Sequence, residues 1–140
     1  MSTQENKTNI RRLLEGLNTG NLTGINELVA PAYVDHSLPP GSPSGRDGFK
    51  AFITAFRAAF PDLHYDLNDE IAEGDKVVHR VTANGTMKGA FQGMPATGKH
   101  GTWTEMHIAR FEGGKMVEHW ANVDQMGMLV SLGVMPAPVK

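Results

Sequence analysis

Residues 101–111 and 116–124 are two runs of alternating side chains that meet at Glu112-Gly113-Gly114-Lys115. The paired glycines supply the positive φ angles that a two-residue hairpin turn requires. The stretch therefore reads as two antiparallel strands. If Glu112 faces Lys115, then Phe111 faces Met116, His107 faces Trp120, Glu105 faces Asn122 and Trp103 faces Asp124. Strand side chains alternate between faces, which gathers Trp103, Glu105, His107, Glu118, Trp120, Asn122 and Asp124 on one side. A core face would carry aliphatic residues, and a solvent face would not carry two indoles. The mixture predicts the wall of a pocket. The set holds together only in this register, because a shift of one residue reverses every side chain.

The 140 residues suit one domain with a core at residues 4–133 and a loose tail at 134–140. A hydrophobic content of 40% and a charged content of 20% are ordinary globular values. The formal net charge is −2 with no basic block, which argues against nucleic acid as a partner. With no cysteine, disulfides and thiolate metal sites are excluded. The first residues are polar, unlike a signal peptide, and no apolar run is long enough for a membrane span. A cytoplasmic location is the expectation, with no membrane partner.

The helical period comes first along the chain. Ile10, Leu13, Leu14 and Leu17 mark one face of a helix over residues 4–17, closed at Gly20. A short second helix is expected over 22–29, stopped by Pro31. Tyr33-Val34-Asp35-His36 is short and extended and leads into a Pro/Gly loop. A third helix carries Phe49, Phe52, Ile53, Phe56 and Phe60 as one stripe, and this stripe is expected to lie across the concave side of a sheet. From residue 63 the period becomes that of strands, at 63–71 and 77–86, with a turn at Glu73-Gly74-Asp75-Lys76. A glycine-rich segment, residues 89–98, is a candidate flap over the pocket. The hairpin follows, then a helical turn over 125–132. Helices before a run of antiparallel strands make an α+β layout, with helices on one face of a meander.

Several segments together carry a family likeness. They are Asp35-His36 before the loop, Gly45-Arg46-Asp47-Gly48 opening a helix, Phe60-Pro61-Asp62-Leu63, Glu73-Gly74-Asp75-Lys76-Val77-Val78, Gly85-Thr86, Gly93-Met94-Pro95-Ala96-Thr97-Gly98, and Gly114-Lys115-Met116-Val117-Glu118-His119-Trp120 with Asp124 and Leu132-Gly133. In these the chain resembles the SnoaL-like polyketide cyclases, also called predicted ester cyclases, of the nuclear-transport-factor-2-like group. The resemblance implies a cone-shaped, curved antiparallel sheet wrapped around three N-terminal helices, a cystatin-like roll. It also implies a homodimer, an internal pocket, and no metal or organic cofactor. In such cyclases a pocket carboxylate serves as acid and base in an intramolecular aldol closure, and the matching position looks like Asp124.

The candidate catalytic residues are Asp124 and His107. The candidate substrate-binding residues are Trp103, Glu105, Trp120, Asn122 and His36. A carboxyl sheltered by Trp103 and Trp120 would be raised from its ordinary ~3.9 toward the working pH, which suits proton transfer in both directions. A second role for Asp124 is N-cap of the following helical turn. His107 could hold a carbonyl oxygen, share a proton with Asp124, or simply bond Glu105. His36 stands at a possible pocket mouth. By alternation His119 falls on the opposite face, as a packing or interface residue. His64, His79 and His100 have no assignable partner. No His spacing fits a metal site.

The leading expectation is a cofactor-free lyase or isomerase acting on a hydrophobic, polyketide-like carbonyl compound. Hydrolysis or dehydration by the same acid is a second enzyme class. The rival is a non-catalytic module that binds a small molecule or presents a dimeric interaction surface.

Overall fold

The computed structural model describes residues 2–137, in the order α1 (Thr3–Thr19), α2 (Ile25–Leu28), β1 (Val29–Asp35), α3 (Gly45–Ala59), β2 (His64–Glu73), β3 (Lys76–Thr86), β4 (His100–Glu112), β5 (Lys115–Val123) and α4 (Gln125–Ser131). The α+β layout is as the periodicity predicts. The five strands form one open sheet in the order β1-β5-β4-β3-β2. It is not wholly an antiparallel meander, because β1 joins the far edge parallel to β5. The chain reaches that edge early, and the hairpin later docks β5 against it.

Local chemistry sets the helices. In α1 the Ser2 hydroxyl accepts from the Glu5 amide at 3.1 Å, and Gly20 closes the helix at φ 77°. Its buried row Ile10, Leu13, Leu14 and Leu17 is the one the spacing predicts. The second helix is shorter than expected, since β1 already begins at Val29. Pro31 sits within that edge strand, where a missing N–H can be tolerated. In α3, Phe49, Ile53 and Phe56 are buried, and Phe60 just beyond is fully enclosed.

The phenylalanine stripe does lie against the sheet. Phe56 stacks on Phe91 at 4.9 Å and on Trp103 at 6.4 Å, while Phe60 meets Trp103 near edge-on at 5.8 Å. Phe91 belongs to the glycine-rich segment, so that segment is fastened to the core. Its start is held by the Lys88 and Gly89 amides on the Ala59 carbonyl, and its end by Thr97 Oγ1 on the Leu132 carbonyl at 2.6 Å. The tail expected over 134–140 falls partly outside the described residues. Within them, the Val134 and Met135 amides bond the Leu129 carbonyl.

One irregularity decides what the sheet presents. Glu112 pairs with Lys115 and Phe111 with Met116, as predicted, but Arg110 then pairs with Glu118. Val117 is the extra residue of a β-bulge, and beyond it β5 is one residue out of the predicted register. His107 faces Ala121, Ile108 faces Trp120 and Met106 faces Asn122.

The loop before α3 is closed by contact with Gly48. A Cβ there would stand 1.8 Å from the Pro43 carbonyl oxygen, which is backbone and cannot move aside alone. Gly48→Ala is expected to lower stability by about 1–3 kcal/mol through overpacking. A urea unfolding midpoint equal to that of the parent would contradict this.

Candidate active site

The inner face of the sheet carries a row of polar groups on the neighbouring strands β1, β5 and β4. Parallel pairing sets Asp35 beside His119, and antiparallel pairing sets His119 beside Ala109, two positions along from His107. His119 Nδ1 lies 3.0 Å from Asp35 Oδ2, and its Nε2 lies 2.8 Å from His107 Nδ1. His107 Nε2 lies 2.8 Å from Glu105 Oε1, and Glu105 Oε2 accepts from the Trp103 indole N–H at 2.8 Å. At the other end Tyr33 donates its hydroxyl proton to Asp35 Oδ2, and the Ser37 amide donates to Asp35 Oδ1 at 2.8 Å. The result is one chain of contacts, Tyr33–Asp35–His119–His107–Glu105–Trp103.

This chain borders a cavity of about 130 Å³ whose other walls are apolar side chains of α1 and α3, including Leu14, Phe49, Phe52 and Phe56. Asp35, Glu105, His107, His119 and Ala121 all line it, and so does His79 from β3. An adjoining pocket of about 250 Å³ lies beneath the Pro/Gly loop, and Asp35 and Leu38 line both. A larger groove, about 410 Å³, runs between α1 and α2. It is walled by residues of the two helices and of the turn between them and holds no imidazole.

Burial and bonding set the protonation states. Burial works to raise the Asp35 carboxyl. The hydrogen bond and charge of His119, with the hydroxyls of Ser37 and Tyr33, overcome it and hold the group well below the usual carboxylate range. Burial, then the charge of Asp35, push the Tyr33 phenol far up, so it remains a donor. Burial lowers His119 against the pull of Asp35. His79, only 5% exposed, is pushed down to about 2 by burial and then by His107 and His119. It stacks parallel on His107 at 4.7 Å, and its Nδ1 has no hydrogen-bond partner. Leaving such a group unpaired costs about 1–3 kcal/mol.

Counting protons shows what the row can do. Each of the gaps Asp35/His119, His119/His107 and His107/Glu105 holds one proton, because a hydrogen bond needs one. Two neutral imidazoles carry only two. A third proton is therefore shared along the row. Burial disfavours a charged His119.

The other sequence-predicted residues lie elsewhere. Asp124 is exposed and caps α4, its Oδ1 accepting from the Gly127 amide at 2.9 Å. It has no place in the cavity, and no indole shelters it. Trp120, Asn122 and Glu118 are turned to the outer face by the Val117 bulge. His36 joins them there, stacked on Trp120 at 5.1 Å with Nε2 2.7 Å from Glu118 Oε2. Trp103 is buried behind the cavity, where it holds Glu105 and packs on Phe56 and Phe60. Glu105 and His107 are where they were expected. His119, assigned to the far face, is the centre of the row. Asp35, Tyr33 and His79 were not assigned to it. The pattern Val77, His79, Val81, Ala83 on one strand face was the available signal for His79.

Buried neutral histidines make stability depend on pH. Both His79 and His119 have folded pKa values below the ordinary ~6.5, so the unfolded chain binds more protons and stability is lost as pH falls below that value. From pH 7 to pH 5 the His79 part of this loss is about 2 kcal/mol. Urea titrations at the two pH values should show a smaller fall in His79→Leu than in the parent. Equal falls would contradict the assignment.

Comparison with known proteins agrees with this fold. The profile described as SnoaL-like polyketide cyclase matches residues 7–132. The aklanonic acid methyl ester cyclase DnrD of Streptomyces peucetius is 29% identical over 127 residues, covering 89% of this chain and 88% of its own. Among solved structures, IdmH of Streptomyces antibioticus, a candidate polyketide cyclase, superposes with a TM-score of 0.80 at 34% identity over 91% of this chain and 98% of its own. TsrD of Streptomyces laurentii superposes with a TM-score of 0.89 at 27% identity over 96% and 99%. The match runs from the first helix through the last rather than over one motif, and on that ground the chain belongs to the SnoaL-like polyketide cyclase family.

Proposed function

We propose that the chain closes or isomerises a ring in a hydrophobic carbonyl compound, using its own side chains as acid and base and no cofactor. The observation that carries this reading is the hydrogen-bonded row Asp35–His119–His107–Glu105 on the wall of a mostly apolar cavity. The cyclase names of its relatives support the reaction class.

Intramolecular aldol closure is an isomerisation. One proton leaves a carbon flanked by carbonyls, one proton reaches the carbonyl oxygen under attack, and a carbon–carbon bond forms. The oxygen under attack takes the place of Glu105 Oε1 at His107 Nε2 and receives the proton held there. The proton lost by carbon refills the row, and the count returns to its start. Asp35 stays ionised and holds His119 Nδ1–H, so that Nε2 remains the acceptor toward His107. Ala121 pairs with His107 and, being small, leaves room over its ring. The apolar walls keep water away and strengthen each electrostatic contact. The reacting ring occupies the inner cavity, and the rest of a larger substrate extends past Leu38 into the adjoining pocket.

The second part of the proposal is assembly. Met106 and Ile108 are 52% and 37% exposed on the outer face, near the His36–Trp120 stack. An apolar sheet face of this kind is covered by a second copy.

With aklanonic acid methyl ester as the assay substrate, His107→Asn and Asp35→Asn should each lower kcat at least ~100-fold, the usual worth of a positioned acid/base group. Asp124→Asn should leave kcat within about threefold, since Asn also caps helices. Loss of activity in Asp124→Asn with retention in His107→Asn would reverse the assignment. In sedimentation the chain should run as a dimer, and Met106→Lys with Ile108→Lys should give a monomer. A monomeric parent at micromolar concentration would refute the dimer.

A further inference from the structure

Three imidazoles line up across the middle of the sheet, His79 on β3, His107 on β4 and His119 on β5. His79 and His107 are direct cross-strand partners, and their rings lie 4.7 Å apart and within 5° of parallel. His107 and His119 meet edge to edge through their nitrogens, with ring centres 5.0 Å apart. The proton-sharing row uses both nitrogens of His107 and both nitrogens of His119. His79 stands apart from it. Its Nδ1 is closed off with no partner, and its Nε2 makes no hydrogen bond among the described residues, so Nε2 is the nitrogen that a molecule in the cavity can reach.

Packing does not account for a histidine here. The inward positions around it on β3 are Val77, Val81 and Ala83, all fully buried. A leucine or valine would fill the place without an unpaired nitrogen. Nor does proton transfer account for it. The buried ring stays neutral throughout the working pH range and accumulates no proton. A neutral imidazole offers one donor and one acceptor and brings no charge. That suits a group that holds an oxygen in place while a neighbour moves the proton.

We propose that His79 is a ligand-binding residue that hydrogen-bonds a ring oxygen, a phenol or an enolised dicarbonyl, of the compound that enters the cavity. Size agrees with one ring, since a cavity of roughly 150 Å³ holds benzene and this one is about 130 Å³. The ring's oxygen meets His79 on one side of His107, and the reacting carbonyl meets His107 itself. His79 thus selects oxygenated rings over plain hydrocarbon ones and sets the ring's orientation. This inference rests on the cavity being the ligand site.

Phenol and toluene have nearly the same shape and differ in the hydroxyl, so they serve as the probe pair. Dissociation constants from NMR titration of the full chain should show a phenol preference that falls by about fivefold to tenfold in His79→Leu, the worth of one hydrogen bond. Toluene affinity and Tm at pH 7 should be no lower in the variant, whereas a merely structural histidine would cost Tm and leave the preference alone. In the parent, the ring ¹⁵N shifts of His79 should move with phenol and not with toluene, a readout that does not depend on the variant folding. A preference kept in His79→Leu, or His79 shifts unmoved by phenol, would overturn the role of His79 and leave the row intact. Failure of the parent to bind either probe would overturn the cavity as the ligand site as well.

Discussion

A strand offers each side chain two faces, and at Val117 the fifth strand takes one extra residue and exchanges them. The exchange brings His119 inward and sends Glu118, Trp120 and Asn122 outward. Only then can His119 touch Asp35 on one side and His107 on the other. Without the bulge, Glu118 would take the place of the central imidazole opposite Ala109 and Trp120 would face His107, and the row would not exist. The rest of the cavity is arranged to suit that row. Helices α1 and α3 supply the apolar walls, and Trp103 fixes the far carboxylate from behind.

The parallel edge strand matters for the same reason. Asp35 and His119 are 84 residues apart and become neighbours because β1 pairs with β5. The early part of the chain therefore delivers a carboxylate to a hairpin made near its end. The carboxylate is costly to bury, and the donors around it meet that cost. Tyr33 from its own strand, Ser37 from the next loop and His119 from β5 all donate to it. The two faces of the sheet then differ in kind. Inside, acids and imidazoles are in hydrogen-bond contact with one another. Outside, Glu118 pairs with Arg110 and His36 beside exposed Met106 and Ile108.

Much of the architecture was legible in order along the chain. The apolar rows of α1 and α3, the hairpin turns at Gly74 and Gly113-Gly114, and the change from helical to strand period are local signals, and each led to the right kind of element. The candidate site was legible in part. Glu105 and His107 share the inner face because β4 runs regularly opposite β3. Asp124 was misplaced because its two readings, sheltered acid and helix cap, use the same residue type, and only the capping bond to Gly127 is made. His79 shares a strand face with valines on β3, a local signal for burial, but nothing local marked its missing partner.

By itself the sequence determined the α+β class, the succession of elements and the presence of acids, imidazoles and indoles on the last two long strands. It could do so because helix and strand periods are properties of neighbouring residues. The tertiary structure alone decided which of those side chains face inward. Facing is a matter of parity counted from the turn, and one bulged residue reverses it. It also decided that Asp35 completes the row, because that contact comes from strand pairing across most of the chain and has no local trace.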